Sequence, residues 1–322
     1  MSKVRSSEKD PLTWPPPAVA PTTTSLRIGI HTSIAGGVEN AAERAYRLGC
    51  NAFQIFSSSP RQWRPYSLGK SQCATMTELR RKYDLSPLVI HANYLINVAA
   101  VSPSFLDKSI AAFRGELERG LALRADYLVL HPGSFRGITR EEGLQRAAVS
   151  IAKASEGLNL DGGRLTILIE NTAGAEYSLG GTLEQVAELL ELLRRSVPVG
   201  ACIDTCHTHV AGYDIVTEEG RALTLRHLEQ TVGLKNVCVW HCNDAKAERG
   251  SRLDRHEHVG RGKLGLETFQ ALLNDRRLQH AAFIAETPID EPGDDLRNVQ
   301  ALKDLVRAGR RSPRRDHSAK ML

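Results

Sequence analysis

From Leu26 to about Arg307 the chain alternates between two hydrophobic patterns. Short apolar runs rich in Val, Ile, Leu and Phe read as strands buried on both faces, at 26–32, 52–57, 88–92, 127–131, 165–170, 199–204, 237–242 and 283–286. Between them, apolar residues recur every three to four positions. This predicts amphipathic helices near 38–48, 72–83, 104–123, 140–158, 182–195, 217–231, 266–274 and 295–307. Ser104 before Phe105 and Thr139 before Arg140-Glu141-Glu142 are expected N-caps. Gly49, Gly120 and Gly233 are expected to end or break helices. Eight strand–helix units over residues 26–308 predict an α/β fold, a closed (β/α)8 TIM barrel. An open doubly wound sheet would carry a glycine-rich phosphate loop after its first strand, and Ala35-Gly36-Gly37 lacks the G-x-G-x-x-G spacing.

The flanks differ from the barrel. Residues 1–25 are polar and proline-rich, with Trp14-Pro15-Pro16-Pro17, and read as a disordered or polyproline arm. Residues 309–322 read as a disordered basic tail. The formal charge of +5 resides in these flanks, +1 in the arm and +4 in the tail, which leaves 26–308 formally neutral. A neutral barrel has no strong nucleic-acid field unless bound cations offset its carboxylates. The six cysteines form no C-x-x-C pair and are expected to be free thiols in a reducing compartment, the cytoplasm. No apolar run approaches the ~18 residues of a membrane span, and Met1–Asp10 has no apolar core of a secretory signal.

Chemistry gathers where the strands end. The first ends at His31, the third at His91, the fourth at His131, the fifth at Glu170 and the sixth at Asp204, with His207 three residues on. The seventh ends at His241, with Asp254 and His256 in its loop, and the eighth at Glu286. In a barrel these ends share one rim, where active sites are built. Any one of these residues could be a satisfied polar group. Seven of eight strands ending in His, Asp or Glu is harder to explain that way, because such groups repel or go unpaired unless cations bind them. All of these but His31 make nine candidate ligands, which exceed the ~4 of one tetrahedral site and fit two or three divalent ions. Mixed imidazole and carboxylate donors favour zinc or manganese over magnesium.

Eight motifs then carry a resemblance. His31-Thr32-Ser33-Ile34-Ala35-Gly36-Gly37, Arg61-Gln62-Trp63-Arg64, His91-Ala92-Asn93-Tyr94-Leu95-Ile96-Asn97, His131-Pro132-Gly133-Ser134, Glu170-Asn171-Thr172-Ala173-Gly174, Asp204-Thr205-Cys206-His207, His241-Cys242-Asn243-Asp244 and Asp254-Arg255-His256 together resemble endonuclease IV. This is the apurinic/apyrimidinic (AP) endonuclease family 2 of base-excision repair. The resemblance spans Ile28 to Pro288, in order. It implies a TIM barrel with three Zn2+ ions per chain, Mn2+ in part. His91, His131 and Glu170 would hold one ion. Glu170, Asp204, His241 and Glu286 would hold a second, with Glu170 bridging. His207, Asp254 and His256 would hold the third. Glu170 and Glu286 would be the catalytic carboxylates, Glu286 orienting the attacking water. The implied reaction is hydrolysis of the phosphodiester 5′ to an abasic site in double-stranded DNA, leaving a 3′-hydroxyl and a 5′-deoxyribose phosphate. Arg61 and Tyr94 would enter the bent duplex, and His31 would support the ligands or bind phosphate. A monomer is expected.

The sequence departs from the family pattern at Ser59-Pro60, at Ala175-Glu176-Tyr177 and at Arg261, all in loops expected to face DNA. These put substrate preference in question before the chemistry. One rival reading is a metal-dependent sugar isomerase or epimerase on a related barrel, which needs only one or two ions; the His207, Asp254, His256 cluster argues against it. The other is an inert damage-binding protein, which a cleavage assay separates. Arg310-Arg311-Ser312-Pro313-Arg314-Arg315 reads either as a solvated terminus or as a basic arm that holds undamaged DNA.

Overall fold

The computed structural model describes residues 10–15, 26–63 and 66–306. Eight parallel strands close into a barrel: β1 (Arg27–His31), β2 (Ala52–Phe56), β3 (Leu88–His91), β4 (Tyr127–Leu130), β5 (Thr166–Glu170), β6 (Val199–Asp204), β7 (Val237–His241) and β10 (Ala282–Ala285). Around it run α1 (Asn40–Arg47), α2 (Lys70–Tyr83), α3 (Pro103–Ala122), α4 (Arg140–Ser155), α5 (Leu160–Gly163), α6 (Leu183–Leu193), α7 (Thr205–Val210), α8 (Glu218–Thr231), α9 (Gly265–Leu273) and α10 (Asp294–Asp304). A small antiparallel pair, β8 (Asp244–Ala245) and β9 (His256–Glu257), stands in the loop between β7 and α9. The predicted TIM barrel is the observed fold.

Strand alternation explains both the core and the site. Ala52, Val89, Val129, Leu168, Cys202, Val239, Ala282 and Ile284 form one cluster, the filling of the barrel. Their chain neighbours, among them Phe53, Ile90, Leu128, Ile169, Ile203 and Phe283, join a second cluster with helix residues such as Ala41, Phe113, Leu190 and Val299. Side chains two apart on a strand share a face. One step beyond the filling residues, the same face therefore carries Gln54, His91, His131, Glu170, Asp204, His241 and Glu286. Apolar packing below sets the height and direction of the polar groups above.

Some local expectations shift. Thr139 caps α4 through a reciprocal capping box with Glu142. Helix α3 starts earlier than Ser104: Ser102 is its N-cap residue and Pro103 opens the first turn, where its fixed φ fits and its missing N–H is no loss. Gly49 and Gly233 adopt positive φ after α1 and α8, as expected of terminators. Gly120 instead lies inside α3, where a Cβ would stand 2.8 Å from Leu165 Cδ2, so it serves close packing and ends nothing.

Six residues of the expected N-terminal arm lie on the barrel. Pro11–Thr13 form a 3-10 turn capped by Asp10. Asp10 accepts two 2.8 Å bonds from Arg44, which also donates to the carbonyls of Ser33 and Ala35 in the loop after β1. The proline-rich segment offers backbone carbonyls, and Arg47 takes those of Leu12 and Trp14. The rest of the arm and the 309–322 tail lie outside the described residues.

Candidate metal centre

The nine candidate ligands meet at the C-terminal mouth. Ligand atoms of His91, His131 and Glu170 lie within 4.8 Å of one another, as do those of Glu170, Asp204, His241 and Glu286, and those of His207, Asp254 and His256. Glu170 belongs to two groups because β5 places it fully buried between them. Asp204 is brought to His241 by the β6–β7 register and also caps α7, accepting from the His207 N–H at 2.8 Å. Its neighbour His207 is thereby turned to face Asp254, with Nε2 3.2 Å from Oδ2. The β8–β9 pair returns His256 to the mouth, its Nε2 3.2 Å from Asp254 Oδ1.

The orientation of the imidazoles is the informative feature. His91 Nδ1 lies 2.8 Å from the Ala92 carbonyl, His207 Nδ1 2.9 Å from that of Asn171 and His256 Nδ1 3.2 Å from that of Glu286. A carbonyl only accepts, so each Nδ1 donates and each Nε2 is the nitrogen left to face the mouth. Two inward atoms, Glu170 Oε2 and His256 Nε2, are buried without a hydrogen-bond partner among the described residues. Glu170 Oε2 lies 3.3 Å from His91 Nε2 and 3.1 Å from His131 Nε2, yet no hydrogen-bond geometry is met. Buried imidazole and carboxylate atoms that face one another without a hydrogen bond, as Glu170 Oε2 and His256 Nε2 do, suit a bound cation. The residues fit divalent metal.

The electrostatics agree. Burial by itself would raise the Glu170 carboxyl, but His241 and His131 hold it well below the usual carboxylate range. Glu286 is likewise lowered: burial opposes ionisation, and His241 and His31 outweigh it. Burial disfavours charge on His207 and His241, yet both are raised well above the ordinary histidine value, His207 chiefly by Asp204 and His241 by the carboxylates of Glu286 and Glu170. Protons thus balance the carboxylates of this cluster, and metal binding must displace them. Cys202 and Cys206 also approach the ligands. Burial pushes the Cys202 thiol up to about 12 and raises Cys206 too, so both stay neutral thiols.

Of the three residues expected to contact DNA, Tyr94 and His31 lie beside candidate ligands. Tyr94 is 57% exposed and meets Phe56 edge-on. Arg61 is exposed in the loop after β2, and His31 lies 3.6 Å from Glu286 Oε1 through Nδ1. At the departures, Tyr177 takes φ 65° with Arg136 over its ring, and Arg261 is exposed on a turn that Asp244 holds through the amides of Gly260 and Gly262.

Sequence reasoning passed over Gln54, Asn171 and Asn243. Asn171 Oδ1 accepts from the Asp204 amide at 2.7 Å. Asn243 donates to Asp204 Oδ2 at 2.6 Å and accepts from the Glu286 amide at 2.7 Å. Gln54 touches His241, His31 and Glu286. The available signal was a lone amide in the apolar run Ala52-Phe53-Gln54-Ile55-Phe56, in phase with the ligands.

Fold and mouth define a class: a TIM barrel with clustered imidazole and carboxylate donors at its C-terminal rim. Comparison narrows it. Residues 42–310 match the family described as xylose isomerase-like TIM barrel. A probable endonuclease 4 of Solibacter usitatus is 48% identical over 283 residues, covering 87% of this chain and 97% of the relative. The crystal structure of endonuclease IV from Thermus thermophilus aligns with TM-score 0.78 and 38% identity, covering 87% of this chain and 98% of that one. A D-tagatose 3-epimerase-like protein, at TM-score 0.63 and 18% identity over 87% of this chain and 97% of its own, shares the fold alone. The chain belongs to the endonuclease IV family and is a DNA-cleaving hydrolase.

Proposed function

We propose that this endonuclease acts in base-excision repair, in the cytoplasm and as a monomer. It hydrolyses the phosphodiester 5′ to abasic sites in double-stranded DNA and leaves a 3′-hydroxyl and a 5′-deoxyribose phosphate. The observation that carries this reading is the set of imidazoles whose outer nitrogens are bonded away, leaving the inner ones beside the carboxylates. Three Zn2+ ions, Mn2+ in part, would be held by His91, His131 and Glu170, by Glu170, Asp204, His241 and Glu286, and by His207, Asp254 and His256. Bound there, divalent cations supply Lewis-acid chemistry: they lower the pKa of water and offset charge on phosphate and leaving oxygen. Glu286 stays ionised, and Gln54 Nε2 and Asn243 Nδ2 fix its carboxylate, so it can accept a hydrogen bond from the attacking water and aim it. Glu170 holds its two ligand groups together from the buried floor. Arg61 and Tyr94 stand exposed on the rim, where they can fill the gap left when an abasic nucleotide leaves the stack. His31, with Nδ1 3.6 Å from Glu286 Oε1, would meet phosphate.

The test is a duplex with one abasic site, incubated with protein as purified, after chelation, and after zinc is restored. Cleavage 5′ to the site, lost on chelation and recovered with zinc, is expected. Elemental analysis should find about three ions per chain, the number that three donor groups require. No cleavage by metal-replete protein would overturn the substrate assignment, and a stoichiometry near one would overturn the trinuclear centre.

A further inference from the structure

His241 differs from His91, His207 and His256 in one respect: its outer nitrogen meets a side chain and not a backbone carbonyl. Nε2 lies 2.9 Å from Gln54 Oε1. Gln54 is fully buried in β2, next to the first strand and away from β7 in the barrel order. Its amide nitrogen lies 2.5 Å from Glu286 Oε1 and 3.0 Å from His31 Nδ1.

We infer that Gln54 is a positioning residue that sets the tautomers of His241 and His31 together. The His241 part rests on the metal reading above. A glutamine amide has one acceptor oxygen and two N–H donors. Glu286 is a carboxylate and only accepts, so the NH2 group must be the end that faces it. The oxygen then faces His241 Nε2, which must donate. His241 Nδ1, which shares its proton with Glu170 Oε1 at 2.9 Å and lies 3.2 Å from Glu286 Oε2, is then the nitrogen a metal ion would take by displacing that proton. The second N–H of Gln54 donates to His31 Nδ1, so the His31 proton sits on Nε2. Phe56, 4.3 Å from the His31 ring centre, restricts that ring. One amide, with its oxygen and both N–H groups engaged, therefore aligns a metal ligand, the carboxylate that aims water and a phosphate donor on three different strand ends. Outer partners of ligating histidines hold ring orientation, and their loss weakens metal binding by roughly 10–100-fold.

Two substitutions separate the contacts. Gln54→Leu deletes all of them. Gln54→Glu keeps an acceptor for His241 Nε2 and removes both donors. The readouts are long-range nitrogen–proton NMR of the histidine rings, which reports tautomers, and zinc affinity by competition with a chelator. In wild-type protein His31 should carry its proton on Nε2, and zinc-loaded His241 should ligate through Nδ1. Gln54→Leu should mix the His31 tautomers and weaken one zinc by 10-fold or more. Gln54→Glu should lose the His31 preference and keep His241 protonated on Nε2. Unchanged tautomers and zinc affinity in Gln54→Leu would overturn the inference. If that variant does not fold, a wild-type His31 protonated on Nδ1, or a Gln54→Glu protein with unaltered His31, overturns it equally. Wild-type protein that binds no zinc would sink the metal reading; the His31 spectra of metal-free protein would still decide the role of Gln54.

Discussion

Replacing Asn93 by aspartate would loosen the loop that carries Arg61 without touching Arg61. Asn93 is buried in the turn after β3, beside Tyr94. Its Nδ2 donates to the carbonyls of Ser59 and Gln62, both at 2.9 Å, which bracket Arg61. Its Oδ1 accepts from the Leu95 amide at 2.8 Å and so shapes the Tyr94 turn as well. Aspartate keeps the Leu95 bond, removes the two donors and turns a carboxylate oxygen toward two carbonyls, so the change breaks the link between the loops and the two lost bonds set the least effect. Two neutral hydrogen bonds are worth about 2 kcal/mol net. Loss of that stabilisation corresponds to roughly a 30-fold rise in opening of residues 59–63, since ~1.4 kcal/mol is a factor of ten. Hydrogen exchange should show this rise in a peptide spanning 57–66 and little change in α6. KM for the abasic duplex should increase by about tenfold and kcat should fall less than twofold, because some of the lost order is restored by DNA contacts. Unchanged exchange in that peptide would refute the argument. Raised exchange with unchanged KM would retain the link and remove Arg61 from DNA binding.

The remaining predictions concern the floor of the site and the arm. Glu170→Gln should lower bound metal by about two ions, since Glu170 belongs to two donor groups, with the far-ultraviolet circular dichroism unchanged; three ions still bound would contradict its bridging place. Asp10→Ala should cost about 2 kcal/mol at pH 7, seen as a lower Tm, because buried Arg44 keeps only its two carbonyl partners. The Arg44 hydrogen bond lowers the Asp10 pKa, so this contribution is full above the ordinary aspartate value near pH ~4 and fades as pH falls through the folded one. Wild-type and Asp10→Ala melting curves should therefore converge in acid, and a constant gap down to pH ~2 would show the ion pair is not its source.

Much of this protein is legible in its chain. Short continuous apolar runs alternating with period-three-to-four stretches dictate strand and helix, and eight such units leave few ways to bury both faces of every strand other than closure. Strand parity then fixes which residues look inward, so Val89 implies His91, Leu168 implies Glu170 and Val239 implies His241 without coordinates. The family motifs assigned those ends a chemistry. Tertiary structure alone decided how the ends meet. Glu170 belongs to two donor groups because of its height in the barrel, and Asp204 both joins a donor group and caps α7 because β6 runs straight into that helix. Gln54 showed in the chain only as a lone amide in an apolar strand, and its role has no signature until its partners at the ends of β1, β7 and β10 are placed around it. Asp10 escaped for the same reason: a carboxylate in a proline-rich arm is ordinary until Arg44 is seen beneath it. Hydrophobic burial is periodic along the chain and can be read from it. Hydrogen-bond complementarity is a relation between distant segments, and only the closed barrel brings both partners together.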